Sequence, residues 1–278
     1  MEKYSILMSV YKNVKIIDLK NSIESMLHQT AKPEQFVIVQ DGPVGNDLND
    51  LISTYEENYS EIFTIIKLDE NKGLAYALNV GMNACRNNLI ARMDSDDYSL
   101  PKRCEKQLEC FSKNKSLALV GTATQHFKSN PFDPEDSYFY SPADMQLIKK
   151  KIRRNSAFSH PTVMYKKDAV LSCGGYDPNL RRSQDHDLFS KMISYGFEAM
   201  NLEEALVLYR TDSNGIGRNR NSDSLKARLI IQKRILDRGD CSFFDYLYVC
   251  LGVYVMKWLP KKLYEYIYLH LKEDKRRA

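Results

Sequence analysis

Leu89-Ile90-Ala91-Arg92-Met93-Asp94-Ser95-Asp96-Asp97, with Pro101 just beyond, is the stretch on which the reading of this chain turns. An apolar run that ends in spaced carboxylates describes a strand running outward to the carboxyl edge of a sheet. Hard oxygen ligands held there could be bridged by a divalent cation to a diphosphate. Alone the signal is weak, because acidic turns after strands are common and most are solvated caps. The flanking sequence decides between the two readings.

Upstream, Tyr4–Tyr11 and Phe36–Gln40 are short β-branched runs, and between them Ile16, Leu19, Ile23, Met26 and Leu27 recur at helical spacing. A third strand, Phe63–Leu68, is followed by Gly73 and the helical set Leu74, Ala77, Leu78 and Met82, which leads into the acidic strand. This alternation predicts an α/β fold, a mainly parallel sheet flanked by helices, with ligands at the carboxyl ends of its strands. Downstream the pattern predicts a helix ending near Lys113, strands over Leu117–Thr124, Phe158–Tyr165 and Ala205–Tyr209, and helices over Lys167–Cys173 and Asp185–Tyr195. Asn130–Asp136 is polar and rich in Pro and Asp, and reads as a surface loop. Thr211–Asn221 lacks apolar periodicity and carries two Gly and three Asn, as a boundary or mobile loop does. The expected division is therefore residues 1–215 as the α/β domain and 216–278 as a helical extension.

Composition narrows the classes. With 43% hydrophobic residues in 278, the chain can bury a large core. Its six cysteines form neither CxxC pairs nor metal-ligand spacings with histidine, and no signal peptide precedes them. Reduced thiols in a cytoplasmic protein are expected. No apolar stretch reaches the roughly 18 residues that cross a bilayer, so no transmembrane helix is expected. Residues 257–278 hold seven Lys/Arg against three Asp/Glu, which equals the whole net charge of +4. The main domain is thus neutral, which argues against a nucleic-acid partner.

Several residues carry candidate chemistry. Asp41, directly after Phe36–Gln40 and before Gly42-Pro43, shares the sheet edge of Asp94 and Asp96 if both strands are parallel. There it could accept the imide N–H of a uracil or thymine ring; the alternative is an Asx turn. In Asn71-Lys72-Gly73-Leu74 the glycine allows close backbone approach and the following helix N-terminus favours anions. Arg92 offers a phosphate or carboxylate partner, and either feature could be purely structural. Gln184-Asp185-His186-Asp187-Leu188 opens a helix, so Asp185 is either a first-turn cap or a general base. His186 points about 100° away from it and suits packing. His160, held extended before Pro161, can aim an imidazole into a cleft, and Gly174-Gly175-Tyr176 is a turn that could set an aromatic ring beside a sugar face. Neither GxGxxG nor GxxxxGK[ST] occurs.

In this order the motifs resemble those of the family 2 glycosyltransferases of the GT-A fold, in particular bacterial capsule and exopolysaccharide enzymes. The resemblance runs over roughly residues 3–212 and rests on Ser9-Val10-Tyr11, Gln40-Asp41-Gly42, Asn71-Lys72-Gly73-Leu74-Ala75 with Leu78-Asn79, Ala91–Asp97, Pro101 with Arg103, His160-Pro161, Gly174-Gly175-Tyr176 and Gln184-Asp185. It implies a nucleotide-sugar site formed by Ser9, Tyr11, Asp41, Lys72, Gly73, Arg92, Asp94, Ser95 and Arg210. In it Asp41 would recognise the base, Asp94 the ribose or metal shell, and Arg210 the diphosphate. It further implies Asp96 as the direct ligand of Mn²⁺ or Mg²⁺, Asp185 as catalytic base of an inverting transfer, and His160, Gly175 and Tyr176 on the acceptor side. Gln40 and Gln184 depart from the family, which often has an acid at the first position and Glu at the second.

The implied reaction passes a sugar from a nucleoside-diphosphate donor, with UDP-linked sugars expected and dTDP-rhamnose an alternative, to a saccharide or lipid-linked saccharide. Phe243–Leu271 is rich in aromatic residues interspersed with lysine, and Lys275-Arg276-Arg277 follows. This suits peripheral contact with an anionic membrane leaflet; the alternative is packing on the catalytic domain or in a homodimer. Two other functions compete. A nucleotidyltransferase should carry a Gly-rich basic loop after strand one, where Ser9–Asn13 has no glycine; a non-catalytic sugar-nucleotide-binding subunit should have lost Asp96 or Asp185.

Overall fold

The computed structural model describes residues 2–211 and 222–259. Strands β1 (Tyr4–Val10), β2 (Gln35–Gln40), β3 (Phe63–Lys67) and β4 (Leu89–Asp94) lie side by side in the order β3-β2-β1-β4, all parallel. Their side chains alternate between two covered faces. Ile6, Met8 and Ile38 pack with Leu19, Ile23 and Met26 of α1 (Ile16–Leu27), Leu48 and Ile52 of α2 (Asn46–Asn58), and Leu108 and Phe111 of α4 (Arg103–Lys113). Leu7, Val37 and Val39 pack on the other side with Leu78 and Met82 of α3 (Leu74–Ala84) and share a core with helices further along the chain. Burial on both faces explains why these strands read as nearly continuous apolar runs.

Beyond β4 the sheet is mixed. β5 (Tyr98–Ser99), β6 (Leu117–Phe127), β7 (Tyr138–Phe139), β8 (Met164–Lys166) and β9 (Glu198–Arg210) continue it in the order β4-β8-β6-β9-β5, with β7 on β6. β8 is antiparallel to both neighbours, while β6 and β9 are parallel. Helices α5 (Met145–Ile152), α6 (Lys167–Ser172) and α7 (Gln184–Ser194) complete the layer over α3. Three local differences from the expected elements have physical causes. Phe158–Tyr165 is not a continuous strand: His160–Thr162 forms a 3-10 turn with Pro161, which has no N–H to give a ladder, and pairing begins only at Met164. β9 starts at Glu198, with register shifts against β6 that hide its alternation. Helix α2 was not among the expected elements, although Leu48, Leu51, Ile52 and Tyr55 do recur at helical spacing within its polar sequence.

The extension forms α8 (Ser222–Asp237) and α9 (Phe243–Trp258). Helix α8 buries Ala227, Ile231 and Ile235 against Leu180, so it shares a core with the α/β part. Helix α9 opens on a capping box between Ser242 and Asp245 and packs Val249 and Val253 against Leu225 of α8. The expected boundary at 215/216, most of Thr211–Asn221, and the residues Lys261, Lys262, Tyr264, Tyr266, Tyr268 and Lys275-Arg276-Arg277 lie outside the described residues. No described helix is long and apolar enough to cross a membrane.

Candidate active site

The parallel register of β2, β1 and β4 sets Val10 beside Gln40 and Ser9 beside Asp94, so three strands deliver their functional ends to one edge. Asp41 follows β2 and is buried. Its carboxylate accepts hydrogen bonds from the Lys72 amide (2.7 Å), the Gly73 amide (3.0 Å) and Asn71 Nδ2 (2.9 Å). Gly42 makes this possible: it sits at φ +83°, and a Cβ there would lie 2.6 Å from the Asn71 nitrogen. The anion expected at the start of α3 is therefore the chain's own Asp41, and the Lys72 and Gly73 amides are engaged by it. Gly73 is covered from outside by Arg181, whose Nη1 would be 2.8 Å from an added Cβ. Tyr11 and the Lys72 side chain remain exposed at this edge.

Arg92 and Asp94 are tied together. The Arg92 side chain is 1% exposed and reaches both Asp94 oxygens, Nη1 to Oδ2 at 2.5 Å. Arg92, expected as a phosphate ligand, is instead buried on β4 with its guanidinium committed to Asp94, whose orientation it fixes. Arg210 is likewise not a free cation. Its Nε donates to the Asp96 carbonyl (3.0 Å), Nη1 to the Lys128 carbonyl (2.9 Å) and Nη2 to Asp18 Oδ1 (2.5 Å), and its guanidinium lies over Phe127. With its donors spent on three segments, Arg210 braces the acidic turn in place of the expected diphosphate contact. Its backbone N–H also bonds Asp97 Oδ1 at 2.8 Å.

Asp96 is the carboxylate this brace leaves without a cation. Burial first, and then the charge of Asp94, push it up to about 6, against the opposing pull of Arg210 and Arg92. Asp97 is driven well above the usual carboxylate range by burial and by Asp96, and its Oδ2 has no protein hydrogen-bond partner. Ser95, between Asp94 and Asp96, is buried. Such a turn fits a hard divalent cation, which would relieve the crowding of negative charge that raises Asp96. Among the described residues no group of three or more His, Cys, Asp or Glu side chains could hold an ion, so a cation at Asp96 would draw its remaining oxygens from substrate and water.

Asp185 comes to this cluster from the other half of the chain. Ser183, at φ 56°, is the one described non-glycine residue in the left-handed region, and it turns the chain directly into α7. Burial raises the Asp185 carboxyl above its ordinary value, while Arg92 pulls it down and Asp94 pushes it up. Both charges belong to residues more than 90 positions away in sequence, so the fold brings Asp185 within electrostatic range of the acidic strand end. His186 points elsewhere: its Nε2 donates to the Ile152 carbonyl (3.1 Å), and burial holds it down to about 4, so it is neutral.

His160 is half-buried, 3.0 Å from the Tyr176 hydroxyl, and burial keeps it well below its ordinary value. Tyr176 is 0% exposed, which corrects its reading as a platform beside a sugar. Asn79 exchanges two hydrogen bonds with the Tyr176 backbone (2.7 and 3.0 Å), and the turn rolls the ring into the core. Gly175, at φ +68°, is required there because a Cβ would stand 2.8 Å from Asn79 Oδ1.

A third support comes from the extension and has no local sequence signal. Arg234 of α8 bonds Asp187 Oδ1 (3.0 Å) and Asp177 Oδ2 (2.7 Å), while Lys191 bonds the Gly175 carbonyl (2.9 Å) and pairs with Asp187 (3.4 Å). Buried Asp187 thus fastens the Gly174–Asp177 turn to the first turn of α7, two residues from Asp185. Arg234→Ala should lower stability by about 1–3 kcal/mol in a denaturant melt. That is less than for a fully buried pair, since the Arg234 side chain keeps 39% of its surface in water. A melt unchanged from wild type would show that the pair carries nothing.

Comparison with known proteins identifies the family and the fold. The model of the family described as "Glycosyl transferase family 2" matches residues 5–174. The chain is 29% identical to the amylovoran biosynthesis glycosyltransferase AmsE of Erwinia amylovora, covering 95% of this chain and 97% of that protein. It is 28% identical to the UDP-Gal:alpha-D-GlcNAc-diphosphoundecaprenol beta-1,3-galactosyltransferase of Escherichia coli (96% and 95% covered). It is 33% identical to the O-antigen biosynthesis glycosyltransferase WbnJ of Escherichia coli (76% and 80% covered). Among solved structures, S. aureus TarS 1–349 in complex with UDP-GlcNAc superposes with a TM-score of 0.67 at 15% identity, covering 91% of this chain and 72% of that one, a likeness of fold. A family model matching residues 5–174, more than half of the chain, means that the chain belongs to glycosyl transferase family 2.

Proposed function

We propose that this glycosyltransferase transfers a sugar from a UDP-linked donor to a saccharide or lipid-linked saccharide acceptor in surface polysaccharide biosynthesis, with inversion at the anomeric carbon. What supports the reading is the parallel register that brings Ser9, Asp41 and Asp94 to one sheet edge, beside the acidic turn of Asp96, together with the charges of Arg92 and Asp94 bearing on Asp185. The names of the relatives support the rest: one is a galactosyltransferase using UDP-Gal on a diphosphoundecaprenol-linked acceptor, and another serves O-antigen biosynthesis. Such an acceptor would put the enzyme in the cytoplasm, at the inner face of the plasma membrane.

In this mechanism Ser9, Tyr11 and Asp41 take the nucleoside at the ends of β1 and β2. Asp41 would exchange one of its present donors for the base imide N–H. Asp94, oriented by Arg92, meets the ribose or the metal shell, and Ser95 shapes the turn. Asp96 would hold Mn²⁺ or Mg²⁺, which supplies Lewis-acid stabilisation of the departing diphosphate when bound. Asp185 removes the proton of the acceptor hydroxyl as that oxygen bonds to the anomeric carbon. The bond from carbon to diphosphate oxygen breaks on the opposite face, and its electron pair leaves with UDP. His160, neutral and bonded to Tyr176, contributes a polar edge on the acceptor side, and Gly175 sets the turn that carries Tyr176.

Arg181 is a donor-side residue that sequence reasoning missed. It is exposed, overhangs Gly73 and makes no ion pair with a described residue, so we assign it a diphosphate contact. Arg181→Ala should weaken UDP binding about tenfold by calorimetry, with melting temperature unchanged; unaltered affinity would remove it from the site. The reading as a whole is tested by incubating the enzyme with UDP-linked sugars, Mn²⁺ and lipid-linked or free saccharide acceptors. Proton NMR would then read the anomeric configuration of the product. A retained configuration, or no transfer from any UDP-sugar, would overturn it.

A further inference from the structure

Helix α9 is apolar on two sides, and among the described residues only one of them is covered. Val249 and Val253 are buried on α8. On the outward side Phe244 (78% exposed), Leu247, Leu251, Tyr254, Val255 and Trp258 (69% exposed) fall within an arc of about 100° at helical spacing. The charged residues of the helix, Asp245 and Lys257, lie off this arc. A continuous aromatic and aliphatic face of this kind marks an interaction surface.

What borders the face identifies its partner. Arg154 stacks 4.6 Å over the Tyr248 ring and bonds Asp245 at 2.5 Å, so the end of α5 abuts α9. Arg154 closes the run Lys149-Lys150-Lys151-Ile152-Arg153-Arg154, five cations in six residues without an acid, and Lys149, Lys150, Arg153 and Arg154 are exposed. An apolar face with exposed aromatics beside a basic strip is complementary to the headgroup layer of an anionic bilayer. A second copy of the chain fits less well, because a twofold contact across α9 would bring two such strips close together. The same corner is tied to the site: the Ile152 carbonyl holds His186, next to Asp185.

We propose that the outer face of α9 and the basic run Lys149–Arg154 form a docking surface for an anionic membrane, with the aromatic side chains at headgroup level and the exposed Lys149, Lys150 and Arg153 on lipid phosphates. The surface does not depend on which donor or acceptor the enzyme uses. It is tested on the full chain by sedimentation with phosphatidylcholine vesicles, with and without about one third phosphatidylglycerol. Binding should be at least about tenfold tighter with the anionic lipid and should weaken with salt. The exposed-face variant Phe244→Glu/Leu251→Glu should lose binding by at least about tenfold. Lys149→Glu/Lys150→Glu should lose the preference for phosphatidylglycerol, and both variants should keep wild-type UDP affinity. If the first variant fails to fold, the second still decides. Equal vesicle binding by wild type and Lys149→Glu/Lys150→Glu would overturn the proposal. So would a wild-type dimer, seen by light scattering, that Phe244→Glu/Leu251→Glu converts to monomer with vesicle binding unchanged. Because vesicle binding is read without turnover, its failure is distinct from a failure of the proposed reaction.

Discussion

Asp185→Asn is expected to lower sugar transfer by about a thousandfold while leaving UDP affinity within about twofold of wild type. The amide keeps the shape and burial of the carboxylate at the start of α7 but cannot take a proton from the acceptor hydroxyl. Donor binding should survive, because the role proposed for Asp185 is toward the acceptor hydroxyl. Transfer is read by UDP release in the presence of acceptor, and affinity by calorimetry. A variant retaining more than about a tenth of wild-type turnover would take Asp185 out of the reaction. The pH dependence follows from the same group. Burial raises Asp185 above its ordinary 3.8, and the active form is deprotonated. The wild-type rate should therefore fall as pH drops through this raised value, and the residual rate of Asp185→Asn should lose that contribution and keep only the acidic loss that comes from Asp96.

Replacing Asp96 by Asn should have two effects of opposite sign. Metal-dependent UDP binding and transfer should fall by about a hundredfold or more, since the carboxylate with the least internal pairing is the one assigned to the cation. The metal-free protein, by contrast, should become more stable. Asp96 is raised from 3.8 to about 6 in the folded state, so at neutral pH folding must hold an ionised carboxylate in surroundings that favour its neutral form. The linked cost is about 1–3 kcal/mol. It is fully present above about 6, fades as pH falls toward 3.8, and is gone below that value. Thermal melts in chelator should show Asp96→Asn above wild type at pH 7.5, with the gap closing below pH 6. Equal melting temperatures at neutral pH would refute the stability claim, and unchanged metal dependence would refute the ligand role. Such opposition between stability and function is common where charges are gathered for catalysis.

The candidate site was only partly legible in the sequence, and the division follows chain distance. The ends of β1, β2 and β4 could be read because a strand and its last residue are local patterns, and parallel pairing then carries Ser9, Asp41 and Asp94 to one edge. Arg92 looked like an available cation because nothing in Ala91-Arg92-Met93 reveals that it is buried and turned onto Asp94. Arg210 looked available for the same reason, although it is held by Asp18, 192 residues away. Tyr176 looked like a platform because its inward roll depends on Asn79 of α3. Arg181 and Arg234 gave no signal at all: one sits in a polar loop and the other on a polar helix position, and each acquires meaning only from what lies against it.

What the chain determines by itself is the succession of strands and helices and the placing of acids at strand ends, since periodicity and termination are properties of neighbouring residues. Which charges are free to act was decided only by the tertiary structure. Desolvation and ion pairing depend on groups brought together from distant parts of the chain, and they leave Asp96 and Asp185 without a dedicated cation while committing Arg92 and Arg210 to the scaffold.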